Sequence, residues 1–377
     1  MRMIVLICLF WVWTTAAVQA VEIFPGSPSI SAKSYILQDF HSEQILLEKN
    51  TKQRLEPASL TKLMTAYVVF SALKEGHIKL EDEVHISKKA WQMKGSRMYL
   101  ERDSTVTVEE LIKGMIIQSG NDASMALAEY VAGDEENFVK LMNEQAKVLG
   151  LSDTQYMNST GLSNTGHYST AYDLATMARA IIRDFPDYYR WYSEKEYTHN
   201  NITQSNRNLL LWRDNSVDGM KTGYTDNAGY CLIASAKRDG MRLISVVLGA
   251  GNKKERATQS QKLLDFGYRF YKTYKLYPAR QAITSERVWK GSSRNVNLGL
   301  VKPLYITIPK GQYQNLKATL QIDNQIIAPV YQSREYGMLK ISLQDKLLLS
   351  RPLVALNGVD SGNVLQQLVD YLWLQFQ

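Results

Sequence analysis

The sequence predicts a mixed α/β chain of the α+β kind: an antiparallel sheet with helices packed on it plus a helical region, followed by a small all-β sandwich domain. Three observations carry this. Strand-like segments at 34–48 and 229–248 stand at both ends of one region and flank a helical middle at 58–182. Asp239-Gly240 lies between two apolar runs, a strong hairpin signal. After Tyr277 the helical spacing gives way to short alternating segments separated by turn residues.

A length of 377 residues favours two domains over one. The hydrophobic share of 45% and charged share of 21% are ordinary for a globular protein with a sizeable core. The net charge of +7 is mildly basic, and no Lys/Arg cluster is interleaved with aromatics. Nucleic acid is therefore not an expected partner. A basic surface suits work beside an anionic wall or membrane.

Residues 1–20 read MRMIVLICLFWVWTTAAVQA, with Arg2, an apolar run and a Val18-Gln19-Ala20 ending. This is the pattern of a secretory signal peptide cleaved after Ala20. Cys8 would leave with it, and Cys231 would have no partner, so no internal disulfide is expected. The first of the two domains is then expected over 21–275. It opens with SYILQDFHSEQILLE at 34–48, two short strands around a turn at His41-Ser42. EPASLTKLMTAYVVF follows at 56–70, where Pro57 suits a helix start and Leu63, Tyr67 and Phe70 recur at helical spacing. Thr107-Val108-Glu109-Glu110 fits a capping box before LIKGMIIQ. Strands are expected at 229–236 and 242–248, and an amphipathic helix at 256–274.

The segments LYITI (304–308), LKATLQI (316–322) and MLKISL (338–343) alternate, which predicts an antiparallel β-domain over 276–356. The tail, 357–377, predicts an amphipathic helix. From Val364 onward, Val364, Leu365, Leu368, Val369, Tyr371, Leu372 and Phe376 share one face. Gln366, Gln367, Asp370 and Gln377 share the other; Trp373 lies at the border and Leu374 breaks the pattern. At about 1.5 Å per residue such a helix spans about 21 Å, too little to cross a bilayer. It is expected to lie flat in the membrane interface, the alternative being a helix packed on its own domain.

Ser59 and Lys62 raise a chemical question, since a buried helix normally excludes lysine and bare hydroxyls. Side chains three apart on a helix are neighbours, about 5–6 Å between Cβ atoms. A hydroxyl at a helix start becomes a nucleophile when a base takes its proton. Lysine serves as that base when burial and nearby positive charge lower its pKa. The helix N-terminus favours the developing oxyanion. The pair therefore fits acyl transfer. The spacing alone is weak, because Ser71 and Lys74 share it, and Ser361-Gly362-Asn363 repeats the letters of Ser119-Gly120-Asn121. Lys221-Thr222-Gly223 occurs once. Order and context separate the sets: Ser59-Leu60-Thr61-Lys62 opens a helix, Ser119-Gly120-Asn121 falls between helices, and Lys221-Thr222-Gly223 precedes a hairpin. They follow the order of the S-x-x-K, S-x-N and K-T-G elements.

PASLTK, LIKGMIIQSGNDAS, VDGMKTGYTDNAGYCLIASA and MRLISVV resemble the low-molecular-mass penicillin-binding proteins, in particular the type-5 group of D-alanyl-D-alanine carboxypeptidases. The resemblance is strong over 25–275; the β-domain and tail fit the layout with less specificity. It implies the penicillin-binding/β-lactamase-like transpeptidase fold and removal of terminal D-alanine from peptidoglycan pentapeptides, without cofactor or metal. Its implied partners are stem peptides, β-lactams as covalent inhibitors and a membrane surface. Its implied location is the periplasmic face of the cytoplasmic membrane. Carried over by position, Ser59 is the acylated nucleophile, Lys62 its base, and Ser119 a proton relay to the leaving amine. Asn121 orients the peptide and the lysine, and Lys221 adds positive charge. The strand with Thr222 and Gly223 pairs with the peptide backbone. The N–H groups of Ser59 and Tyr224 form the oxyanion hole. Arg256 holds the terminal carboxylate, with Lys253, Lys254 and Arg242 as alternatives. Tyr224 stands where the family often has histidine, which leaves rate and pH behaviour open.

A β-lactamase of class A needs an added glutamate in an E-x-x-L-N setting, absent between Asn121 and Lys221. A D,D-endopeptidase uses the same machinery and stays an alternative. A zinc peptidase needs a ligand set that the five histidines do not offer by spacing. Those histidines read as surface or hydrogen-bonding residues. A non-catalytic wall-binding protein of this fold would be expected to have lost a motif residue, and none is lost.

Overall fold

The structure is a computed structural model that describes residues 26–375. The expected signal segment, Phe376 and Gln377 lie outside the described residues. Five antiparallel strands form the central sheet, in the order Ile45–Lys49, Ser34–Asp39, Met241–Ala250, Gly229–Arg238, Val217–Thr225. The N-terminal hairpin is thus zipped onto a strand about 200 residues later, with Ser34 opposite Leu248 and Asp39 opposite Leu243. Asp239 and Gly240 both take positive φ, 47° and 80°, as the tight hairpin between two central strands demands.

Both faces of this sheet are covered. On Met241–Ala250, Ile244, Val246 and Leu248 enter the core shared with the helical region. Leu243 and Val247 point the other way and pack with Leu263 and Leu264 of helix Lys253–Phe270. Burial of both faces explains why these strands read as nearly continuous apolar runs. Helix Lys62–Lys74 lies inside the helical region and is buried from Lys62 through Phe70, so it has little amphipathic contrast. Helices Val108–Ile117, Asn121–Ala132, Glu135–Val148 and Ala171–Asp184 enclose it. The capping box forms: Thr107 Oγ1 accepts from the Glu110 N–H at 3.3 Å, and Glu110 Oε2 accepts from the Thr107 N–H at 3.0 Å.

The expected helix at 256–274 is corrected at both ends. It starts at Lys253, capped by Asn252 Oδ1 accepting from the Glu255 N–H at 2.8 Å, and stops at Phe270. Tyr271–Tyr277 is a strand instead, paired with Leu304–Pro309. Its aromatic and β-branched residues suit a strand, and the ladder overrides the helical spacing. The expected boundary at 275/276 falls within this strand.

That two-stranded ribbon closes on a six-stranded sheet ordered Leu316–Ile322, Glu335–Leu343, Lys346–Ala355, Asn295–Gly299, Ala282–Trp289, Ile326–Ile327. Ile306 and Ile308 of the ribbon share one core with Leu298, Leu339, Ile341 and Leu353. Polar contacts join the β-region to the central sheet. Asp39 Oδ2 accepts from Thr273 Oγ1 at 2.6 Å, and the hydroxyls of Ser42 and Thr307 bond at 2.6 Å. His41 stacks on Tyr305.

The tail forms helix Val364–Leu374, opened by an Asn363–Gln366 capping box. Its apolar face is exposed, from Val364 at 84% to Trp373 at 63%. Gln367, Asp370 and Leu374 are half-buried and share the opposite line. Asp370 accepts from the Lys290 N–H at 2.6 Å and from Arg287 Nη2 at 3.1 Å. Leu374 breaks the sequence pattern because it lies on this domain-facing side. No helix among the described residues is long and apolar enough to cross a membrane.

Candidate active site

Ser59 lies in the 3-10 turn Ala58–Thr61, which runs directly into helix Lys62–Lys74. The turn is entered through Ala58 at φ +49°, an uncommon conformation for a residue with a side chain. Neighbours lock it in place. Gly161 packs against the Ala58 carbonyl so closely that a Cβ there would overlap it. A Cβ on Gly223 would come within 3.0 Å of the Pro57 carbonyl, so the edge strand and the nucleophile turn also meet backbone to backbone.

Lys62 is 1% exposed. Its Nζ donates to Ser59 Oγ at 3.2 Å, Asn121 Oδ1 at 2.7 Å and the Thr160 carbonyl at 2.6 Å. Burial lowers its pKa to about 7, with the Arg207 charge acting in the same direction and Asp122 opposing. An amine with that pKa is partly unprotonated at neutral pH and can accept a proton from the hydroxyl it touches.

Ser119 sits between helices Val108–Ile117 and Asn121–Ala132, itself at φ +64°. Its Oγ accepts from Lys221 Nζ at 2.8 Å, and Lys221 also donates to the Thr222 carbonyl at 3.1 Å. Lys221 is buried, and its pKa falls well below the ordinary lysine value, first through burial and then through the Lys62 charge. Asn121 is clamped as well, its Nδ2 donating to the Lys94 carbonyl at 2.6 Å. Two lysine–hydroxyl pairs thus converge on one cleft.

That cleft encloses about 440 Å³ and is lined by Ser59, Ser119, Asn121 and residues 222–225. Lys62 and Lys221 reach it only through the hydroxyls they hold. Strand Val217–Thr225 is the edge of the sheet, paired on one side with Gly229–Arg238 and open on the other. The look-alike motifs are elsewhere: Ser71 lies on a groove with Glu75 and His77, and Ser361 bridges to Gly291 in the β-region.

Arg256 also lines the cleft, but it is 4% exposed and its Nη1 donates to the Gly223 carbonyl at 3.0 Å and the Cys231 carbonyl at 3.3 Å. Burial lowers its pKa to about 10, which leaves the guanidinium charged at neutral pH. Of the alternatives, Lys253 is in the cleft wall, whereas Arg242 is paired with Asp218 at 2.6 Å. Tyr224 is exposed, its ring against Tyr230 and its hydroxyl donating to Asp226 at 2.6 Å.

Sequence reasoning missed Arg207 on the cleft rim, where its Nη1 donates to Ser96 Oγ at 2.5 Å. No motif marks it; the only local sign is its place between Asn206 and Asn208, both buried and both bonded to backbone. His167 is a buried hydrogen-bonding residue, its Nε2 2.8 Å from Thr61 Oγ1. Burial holds its pKa near 4, so it is neutral.

Residues 21–252 match the family described as D-alanyl-D-alanine carboxypeptidase, and residues 271–361 match the penicillin-binding protein 5 C-terminal domain. The Escherichia coli D-alanyl-D-alanine carboxypeptidase DacC is 44% identical over 96% of this chain and 91% of its own. Among solved structures, penicillin-binding protein 5 from Haemophilus influenzae superposes with a TM-score of 0.87 at 42% identity, covering 89% of this chain and all of that one. Penicillin-binding protein D2 from Listeria monocytogenes, in its ampicillin-bound form, superposes with a TM-score of 0.60 at 31% identity over 65% of this chain and all of that one. The chain belongs to the D-alanyl-D-alanine carboxypeptidase family.

Proposed function

We propose that this protein removes the terminal D-alanine from peptidoglycan pentapeptides through a Ser59 acyl-enzyme, and that β-lactams acylate the same oxygen. The observation that carries this is the contact of a fully buried, partly neutral Lys62 amine with the Ser59 hydroxyl, beside the second pair, Ser119 and Lys221. Lys62 takes the Ser59 proton as Oγ attacks the penultimate D-alanine carbonyl. The oxyanion meets the N–H groups of Ser59 and Tyr224. Ser119, held by Lys221, gives its hydroxyl proton to the departing D-alanine amine and takes up the one that Lys62 removed from Ser59. The open edge of the strand, at Thr222 and Gly223, pairs with the peptide backbone. Arg256, Lys253 and Arg207 supply the positive field for the terminal carboxylate. Water then attacks the ester carbonyl, giving a proton to Lys62, and Lys62 passes that proton to Ser59 Oγ as the acyl–oxygen bond breaks.

In the same reading the tail helix lies in the membrane interface, supported by its exposed apolar face and by the contacts that turn Asp370 toward the β-region. Export to the periplasmic face of the cytoplasmic membrane is supported by the signal-like residues 1–20.

Mass spectrometry after labelling with a penicillin tests the core of the proposal. The adduct is expected on Ser59 and absent in Ser59→Ala. An adduct on Ser71, or one that persists in Ser59→Ala, overturns it.

A further inference from the structure

We infer that Glu56 is a positioning residue that holds the two halves of the oxyanion hole together. This inference rests on the proposed Ser59 acyl-enzyme. The two N–H donors belong to separate parts of the chain: Ser59 to the nucleophile turn, Tyr224 to the sheet edge. Glu56 stands three residues before Ser59 and carries a half-buried carboxylate. Its Oε2 accepts from Thr225 Oγ1 at 3.2 Å and from Ser163 Oγ at 2.7 Å; its Oε1 accepts from Asn227 Nδ2 at 3.0 Å. Thr225 directly follows Tyr224, and Thr225 Oγ1 in turn accepts from the Ala228 N–H at 3.1 Å, so the whole turn after the strand is engaged. Ser163 follows Gly161, which packs on Ala58.

One carboxylate therefore joins three segments that meet at the nucleophile. Burial by itself raises a carboxyl pKa, yet the hydrogen bonds from Ser163, Asn227 and Thr225 bring Glu56 below its ordinary value. It is ionised at neutral pH, where charge-assisted bonds of this kind are strongest. The strained Ala58 supplies the reason a clamp is needed: a left-handed alanine next to the nucleophile persists only where its surroundings over-determine it. Glu56 touches neither Lys62 nor Ser119, so its effect acts through backbone placement.

The test separates the acylation rate constant from the dissociation constant of the initial complex, using a fluorescent penicillin and stopped-flow mixing. Glu56→Ala is expected to slow acylation about 10- to 100-fold, the scale of a displaced oxyanion donor or a misplacement near 1 Å. Deacylation slows with it, while the initial dissociation constant stays within about threefold. Thr225→Val with Asn227→Ala, which removes the donors from the other side, slows acylation too, and adding Glu56→Ala to that pair costs little more. Glu56→Gln, of the same shape, serves if the alanine variant does not fold. Unchanged acylation in Glu56→Ala, a loss confined to the dissociation constant, or fully additive losses overturn the inference. A wild-type adduct on any residue but Ser59 fails the proposed function instead, so the two failures are distinct.

Discussion

Lys62 Nζ lies 3.2 Å from Ser59 Oγ and is held there by two shorter bonds, to Asn121 Oδ1 and the Thr160 carbonyl. The weakest of its three contacts is the one to the reacting oxygen. Two fixed acceptors aim the amine, and the third direction is left for the proton that moves.

Lys62→Arg keeps the charge and removes the base, because arginine stays protonated. Acylation by penicillin is expected to fall about 10²- to 10⁴-fold, the usual worth of general-base catalysis, with the cooperative melt retained. Gel fluorescence of the labelled protein, together with circular dichroism, reads both. Near-normal labelling removes Lys62 from the role of base.

The acylation rate is expected to rise with pH through about 7, as Lys62 loses its proton and becomes able to accept one. Arg207 pushes that pKa down, so Arg207→Ala is expected to move the inflection to higher pH. A pH profile of acylation for both proteins checks the sign. An inflection that stays in place, or moves down, contradicts the coupling.

Arg256→Ala is expected to weaken cleavage of peptides ending in free D-alanine more than of peptides with an amidated end. Arg256 also bonds the carbonyls of Gly223 and Cys231, so some loss appears on both. Arg207→Ala, with no backbone bonds to break, gives the cleaner contrast. Steady-state kinetics on the paired substrates decides; equal losses for both variants on both substrates make the two arginines structural.

Removal of residues 364–377 is expected to abolish flotation with liposomes and leave cleavage of small peptides nearly unchanged. Asp370 is the helix's only charge and is already paired, so binding of the full chain changes little with salt or anionic lipid. If both proteins stay unbound, or if truncation stops peptide cleavage, the helix is structural.

The two strands Gly229–Arg238 and Met241–Ala250 were legible because they bury both faces, which leaves apolar runs, and because Asp239-Gly240 spells the turn between them. The three motifs were legible because acyl transfer needs those side chains at those offsets. Strand Tyr271–Tyr277 was not, since its fate depends on Leu304–Pro309, far along the chain. Arg207 and Glu56 were hidden for the same reason: neither belongs to a motif, and each acts on a residue distant in sequence or through backbone it does not own. Glu56 even stood inside the first quoted helix start, where nothing local distinguishes a clamp from a surface carboxylate.

The grip of Arg287 and Lys290 on Asp370 sets the attitude of the tail helix against the β-region, and the Asp39–Thr273 and Ser42–Thr307 bonds set the β-region against the catalytic sheet. A helix resting on a bilayer through such joints is a footing rather than a tether. On the proposed membrane seat, these joints would carry the cleft at one height and one tilt above the lipid, and the strip of wall within its reach would be a thin shell parallel to the membrane. Under that proposal, substrate selection would begin with altitude, before any side chain in the cleft has touched a peptide.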